Sequence, residues 1–314
     1  MKLSRFLVII LFGLMIVSSP SLAKPSGQGD AKRAFSCMDS CHIGPTGTDS
    51  SATVNIELDR ERVFTSQLLS LSIKTSGMEL SKKGLVGVFL LADDGSPLDD
   101  WKVVQDPNGG NNNYVEKPVF SSTQGATFTW ILQAPDNNGN YSIDAVIHHG
   151  ADPNPDEYAY LGRLTTPLLI EVEPMPEDLP RFSDDWKTTS SRDLGDETTI
   201  IIETEDTDDL IVEWRTSSSE TILEALLTKQ GDGIWSFTLP ASSVESNLTW
   251  RAKLSNPALE EVTPWFTLSS SKPNYDIDER ALMIQAIAGG ILAAAIAIAM
   301  QRRFAFPTQK GGML

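Results

Sequence analysis

Asn140-Tyr141-Ser142-Ile143-Asp144-Ala145-Val146-Ile147-His148-His149 is the stretch on which the reading of the fold turns. As a strand it places Tyr141, Ile143, Ala145, Ile147 and His149 on one face, and Ser142, Asp144, Val146 and His148 on the other. Working outward, Thr53-Val54-Asn55-Ile56-Glu57-Leu58 alternates as a half-buried strand does. Gln67 to Lys74, Leu85 to Leu91, Thr127 to Leu132 and Leu168 to Val172 read as further strands. Turn-rich stretches such as Asp93-Asp94-Gly95-Ser96-Pro97 and Asp106-Pro107-Asn108-Gly109-Gly110 separate them. Short strands at this spacing, without helical periodicity, predict an antiparallel β-sandwich over 24–172.

A Pro- and acid-rich stretch follows, Glu173-Pro174-Met175-Pro176-Glu177-Asp178-Leu179-Pro180, and residues 173–187 read as a stiff linker. A second series of strands is expected over 188–270: Thr198 to Thr204, Leu210 to Arg215, Thr221 to Thr228, Ile234 to Leu239, Leu248 to Leu254 and Trp265 to Leu268. The pattern resembles a small Ig-like or fibronectin-like sandwich of prokaryotic surface proteins. It holds no cysteine, so its core must rest on Trp214, Trp235, Trp250 and their aliphatic neighbours. It also has no histidine, and its carboxylates are scattered, which fits a spacer or docking module better than a catalytic one.

The two ends of the chain supply an address. Lys2 and Arg5, the apolar run Phe6 to Val17 and the small residues Ser21-Leu22-Ala23 predict a secretory signal peptide over 1–23. Near the other end, 281–300 is an uncharged apolar run long enough to cross a bilayer as a helix. Asp276, Asp278 and Glu279 precede it, and Arg302, Arg303 and Lys310 follow it. Positive charge stays on the cytoplasmic side, so the expectation is a single-pass cell-membrane protein with its bulk outside and a tail, 301–314, inside. The whole architecture is therefore expected to be all-β, two antiparallel β-sandwiches in tandem with one C-terminal transmembrane helix.

Of 25 basic residues, 19 lie between Lys24 and Glu279, against all 42 acidic ones, a formal charge of −23. Such a surface argues against nucleic acid as a partner and suits simple solubility at a cell surface first, or else a high-salt medium or a cationic protein partner.

The chemistry concentrates in Cys37-Met38-Asp39-Ser40-Cys41-His42, which holds both cysteines and one of the three histidines. Two thiols followed at once by an imidazole is the arrangement that attaches a c-type haem, with Cys37 and Cys41 as thioether links and His42 as proximal ligand. The common spacing has two residues between the cysteines; here there are three. His148 and His149 are the imidazole candidates for the sixth iron ligand, with Met38 and Met78 as thioether competitors. Two other chemistries compete for the motif: a Cys37–Cys41 disulfide, natural in an exported chain but closing a short loop, and a zinc or copper site completed from elsewhere. The oxygen-rich stretches Asp106 to Asn113 and Asp152 to Glu157 could attract calcium, but neither has an ordered ligand spacing, so solvated turns are expected. No nucleophile–base pairing and no glycine-rich phosphate loop suggests an enzyme.

The order of these features resembles a known family. A Cys-Cys-His motif precedes the first strand; Thr127-Phe128-Thr129-Trp130-Ile131-Leu132-Gln133-Ala134-Pro135 gives a strand with a tryptophan and then Ala-Pro; Asn140 to Ile147 closes the domain. This is similar to the Reeler-like, or choice-of-anchor V, β-sandwich of prokaryotic surface proteins, over about Phe35 to Val172. The resemblance implies an N-terminal Cys-x-x-Cys-His motif and a C-terminal anchor, and the extra residue between Cys37 and Cys41 departs from it. The expected function is an extracytoplasmic c-type haem-binding protein in electron transfer or redox sensing. The alternative is a non-enzymatic adhesion or structural surface protein.

Overall fold

The computed structural model describes residues 48–81, 84–122, 125–150, 160–217, 219–273 and 279–305. Among the described residues the fold is all-β except for one helix. Its first sandwich comprises β1 (Thr48–Asp49), β2 (Thr53–Leu58), β3 (Val63–Phe64), β4 (Leu68–Ser76), β5 (Leu85–Leu91), β6 (Lys102–Gln105), β7 (Tyr114–Pro118), β8 (Ala126–Gln133), β9 (Gly139–His149), β10 (Tyr160–Arg163) and β11 (Leu168–Glu173). One sheet runs β2-β4-β8-β6. The other is built on β9, which is long enough to be shared. Its first half pairs with β11 and its second half with β10, while β5 lines the opposite edge. Strand β7 extends the sheet beyond β5, and β1 and β3 cap the far edges.

Alternation decides which side chains meet. Leu71 and Ile73 of β4 and Phe128, Trp130 and Leu132 of β8 face Val88, Leu90, Ile143 and Ile147 of the other sheet in one core. Each such side chain, taken from water, contributes about 1.5–3 kcal/mol before the entropy of ordering is counted.

The second sandwich comprises β12 (Arg181–Phe182), β13 (Ser191–Asp193), β14 (Thr198–Glu205), β15 (Asp209–Thr216), β16 (Leu223–Glu224), β17 (Leu227–Gly231), β18 (Ile234–Leu239), β19 (Ser246–Ser255), β20 (Glu260–Val262) and β21 (Phe266–Ser271). Its sheets run β12-β14-β18-β17 and β13-β21-β19-β15-β16, with β20 also on β19. Trp250 anchors the core, with Phe266 at 4.8 Å and Phe237 at 5.2 Å between ring centroids. Both sandwiches are antiparallel apart from three short edge pairings, β1 with β10, β3 with β11 and β13 with β21, which are parallel.

The two sandwiches lie in one compact unit, Lys24–Lys272. Ile131 points out of the first sandwich and joins the core of the second, with Leu68 and Val104 beside it. The buried Gln105 side chain accepts from the Thr267 amide and donates to the Thr267 carbonyl, both at 2.7 Å, as a backbone neighbour in a sheet would. Arg60 donates to Glu261 at 2.7 Å and to the Val262 carbonyl, while Gln67 donates to the other Glu261 oxygen. Within the 173–187 span, Leu179 and Phe182 are buried and β12 pairs with β14.

Helix α1 (Glu279–Ala305) forms a second unit. Its Met283–Gln301 segment has a mean hydropathy of 2.1 and buries nothing against protein, so by length and composition it can cross a membrane.

Candidate functional site

Cys37, Cys41 and His42 lie outside the described residues. What the fold does fix is where the chain emerges from them. Strand β1 begins at Thr48, six positions after His42, and lies against β10, which lies against β9. Thr48 is in register with Tyr160 and Tyr160 with His149; Asp49 is in register with Leu161 and Leu161 with His148. Strand β1 therefore lies two strands from the histidine pair. The two histidines, adjacent in sequence, face opposite ways.

His149 points inward, with Ile143, Ala145 and Ile147, and is 2% exposed. Its Nδ1 is 2.7 Å from the Glu79 carbonyl, which can only accept, so Nδ1 carries the proton. Nε2, 2.7 Å from Ser50 Oγ, then accepts from that hydroxyl, and Ser50 Oγ in turn accepts from the Ala52 amide. The ring stacks on Tyr160 at 5.5 Å, and the Tyr160 hydroxyl bonds the Glu79 carboxylate, which raises the phenol's pKa. Burial lowers the pKa of His149, outweighing the Glu79 contacts that favour its charged form. Gly150 closes this corner at φ +80°, and a Cβ there would sit 2.6 Å from Tyr160 Cδ2. Both nitrogens of the neutral His149 ring are thus committed to the fold.

His148 points to the outer face. Val146, Phe89, Leu91 and Leu161 form a second buried apolar cluster there, with Tyr114 packed against it. The row across the sheet reads Asp49, Leu161, His148, Gly87 and Glu116. Phe89 meets the His148 ring edge-on at 6.2 Å and Tyr114 at 4.2 Å. Gly87 matters because a Cβ would lie 2.9 Å from the Tyr114 hydroxyl; without one, the Tyr114 ring can lie across β5 beside His148. The phenol donates to Glu116. At the margin, Asp144 has its pKa raised by burial, against the opposing pull of the Ala145 amide and Arg163.

Sequence reasoning found both histidines but missed Phe89, Tyr114 and Leu161 as their surroundings. A signal was present: Val86-Gly87-Val88-Phe89-Leu90-Leu91 does not alternate, and an unbroken apolar run in an antiparallel sheet implies that both faces are covered. Met78 is 2% exposed in the first core, where it packs rather than presents its thioether. Asp106, inside the Asp106 to Asn113 loop, spends its carboxylate on the amides of Asn108, Gly110 and Asn112 and on the Asn112 side chain. That is a self-closed turn. The Asp152 to Glu157 stretch lies outside the described residues. Among the described residues, no group of three or more His, Cys, Asp or Glu side chains is placed to hold a metal ion.

No family model and no curated protein matches the sequence. Among solved structures, the chain is similar to a tandem pair of titin Ig domains, at 11% identity over 71% of this chain and all of that one, with a TM-score of 0.24. It is similar to the tandem Ig repeats of Dlar, at 9% identity over 70% of this chain and all of that one, TM-score 0.25. A third likeness is to the N-terminal Ig1-2 module of the Drosophila receptor protein tyrosine phosphatase DLAR, at 11% identity over 69% of this chain and 98% of that one, TM-score 0.23.

Proposed function

We propose that this protein is a membrane-anchored, outward-facing carrier of a covalent c-type haem that works in electron transfer or redox sensing at the cell surface. The observation that carries the reading is the register from β1 through β10 to β9. Six residues reach at most about 20 Å and two strand spacings are about 10 Å, a span that supports a site shared by the motif and the histidine pair. The donor set fits the group: two thiols, a following imidazole, a second imidazole on β9 and apolar walls beside it.

Attachment is redox-neutral. Cys37 and Cys41 would hold the haem through thioether bonds, each thiol giving its sulfur to one vinyl carbon and its hydrogen to the other. When bound, haem supplies a one-electron Fe(III)/Fe(II) couple between a donor and an acceptor redox protein. The acidic ectodomain suits a partner with a cationic surface. Helix α1 holds the protein in the membrane, and the charge asymmetry around it supports an outside location for the sandwiches. The proposed role is not enzymatic.

The test is a haem stain and a pyridine haemochrome spectrum on protein matured with a c-type attachment system. A haem-free chain of native fold overturns the reading. A second reading, a non-enzymatic adhesion or structural protein with a Cys37–Cys41 disulfide or metal site, draws support from the Gln105–Thr267 and Arg60–Glu261 clamp, which makes a stiff tandem. Under it, serine at both cysteines changes stability alone and leaves visible absorbance flat.

A further inference from the structure

We propose that Asn140 and Asn247 are N-glycosylation acceptors, so that each sandwich carries one carbohydrate chain on its outer face. The proposal rests on the outward location of the sandwiches and is independent of what the cysteine motif holds.

The sequence holds two Asn-x-Ser/Thr sequons, Asn140-Tyr141-Ser142 and Asn247-Leu248-Thr249. One falls in each sandwich, and each opens a long strand: Asn140 is the second residue of β9 and Asn247 the second of β19. A strand's period of two sends the first and third residues of a sequon to one face and the middle one to the other. In β9 the middle residue, Tyr141, packs against the first core; in β19 it is Leu248, 4% exposed, in the second core. Asn140 with Ser142, and Asn247 with Thr249, therefore stand on the outer faces, and both asparagines are exposed. The carboxamide to be modified and the hydroxyl that marks it lie together on the solvent side.

The surroundings leave room for a bulky group. Exposed Asp136, Asn137 and Asn138 precede β9, and exposed Ser243, Val244 and Glu245 precede β19. Across the ladder Asn140 faces Glu171 and Ser142 faces Leu169, which is 68% exposed and which a sugar on Asn140 would cover. Asn247 faces Ser269, and Thr249 keeps its hydroxyl on the outer face, accepting from Arg215 Nε at 3.3 Å.

The step is a group transfer without redox change. Its donor is an oligosaccharide joined through its anomeric carbon to the phosphate of a polyprenyl carrier. Asparagine Nδ2 bonds to that carbon as the carbon–oxygen bond breaks. Nδ2 gives up one hydrogen as a proton, and the lipid phosphate leaves with the electron pair.

The experiment uses the full-length protein purified from the membranes of its own host, as wild type, Asn140→Gln, Ser142→Ala, Asn247→Gln, Thr249→Val and Thr249→Ser. Readouts are intact mass and tandem mass spectrometry of glycopeptides, with protease added to whole cells as a measure of location. Wild type is expected to carry two carbohydrate increments. Asn140→Gln and Ser142→Ala are expected to remove one, Asn247→Gln and Thr249→Val the other, and Thr249→Ser neither. Carbohydrate at only one asparagine overturns the assignment of the other, and increments that survive Ser142→Ala and Thr249→Val overturn the sequon reading. A bare wild-type chain overturns the proposal as a whole. Cleavage of its sandwiches by external protease then places the failure in the sequons; protection from the protease places it in the outward location.

Discussion

Replacing Gln105 with alanine tests whether the sandwiches form one mechanical body. The side chain is 3% exposed and makes two bonds of 2.7 Å to one residue of the other sandwich, the amide and the carbonyl of Thr267. Truncation removes both and leaves two backbone groups to find water. A polar group left unsatisfied costs about 1–3 kcal/mol, and Thr267 is only half-buried, so the expected loss is about 2–3 kcal/mol rather than the full sum. Gln105→Glu keeps an acceptor for the Thr267 amide but loses the donor to its carbonyl, so it should lose at least as much. Urea unfolding of the full chain in detergent, followed by tryptophan fluorescence, reads the effect as a lower midpoint at unchanged slope. A shift below about 0.5 kcal/mol would refute the clamp as a structural joint. Two separate transitions already present in wild type would refute the shared core around Ile131.

The pH dependence of stability should follow His149. Its folded pKa lies below the unfolded value near 6.5, so the unfolded chain binds more protons in that window; stability is complete above about pH 6.5 and declines as the pH falls through and below it. In His149→Gln the thermal midpoint should be lower but flatter over this range, and an unchanged slope would contradict the buried neutral ring. Gly150→Ala should destabilise by at least about 1–2 kcal/mol, because a left-handed backbone and the Tyr160 ring both oppose a Cβ; wild-type thermal stability would remove that argument. Deleting 279–314 should move the protein from the membrane fraction to the soluble fraction, and retention in the membrane would show that another segment anchors it.

Much of the fold was legible because alternation and core formation are the same fact seen twice. Thr53–Leu58, Leu85–Leu91 and Ile234–Leu239 are read from the sequence at the bounds they have in the structure. The strands that escaped are those whose existence depends on a neighbour. β1, β3 and β12 are two residues each, too short to show a period, and are held by edge pairing. β10 contains Gly162, a poor strand former, kept because a Cβ would lie 2.7 Å from Ile147. Thr221 to Thr228, read as one strand, divides between sheets: β16 pairs with β15, β17 pairs with β18, and Leu226 between them is 94% exposed. Leu179 and Phe182 fell in a stretch whose prolines and acids hid two core residues. At the candidate site, alternation foresaw that His148 and His149 part company. Which one faces the core required Ser50 and Glu79, which are remote in sequence.

Covalent haem at Cys37 and Cys41 stands or falls on the intact mass of the mature protein. The expected mass is that of a polypeptide heavier by one haem, with the added mass retained under denaturing, reducing conditions and lost when both cysteines are serine. A mass equal to the bare polypeptide less two hydrogens, returning to the full value on reduction, would contradict it and establish the disulfide instead.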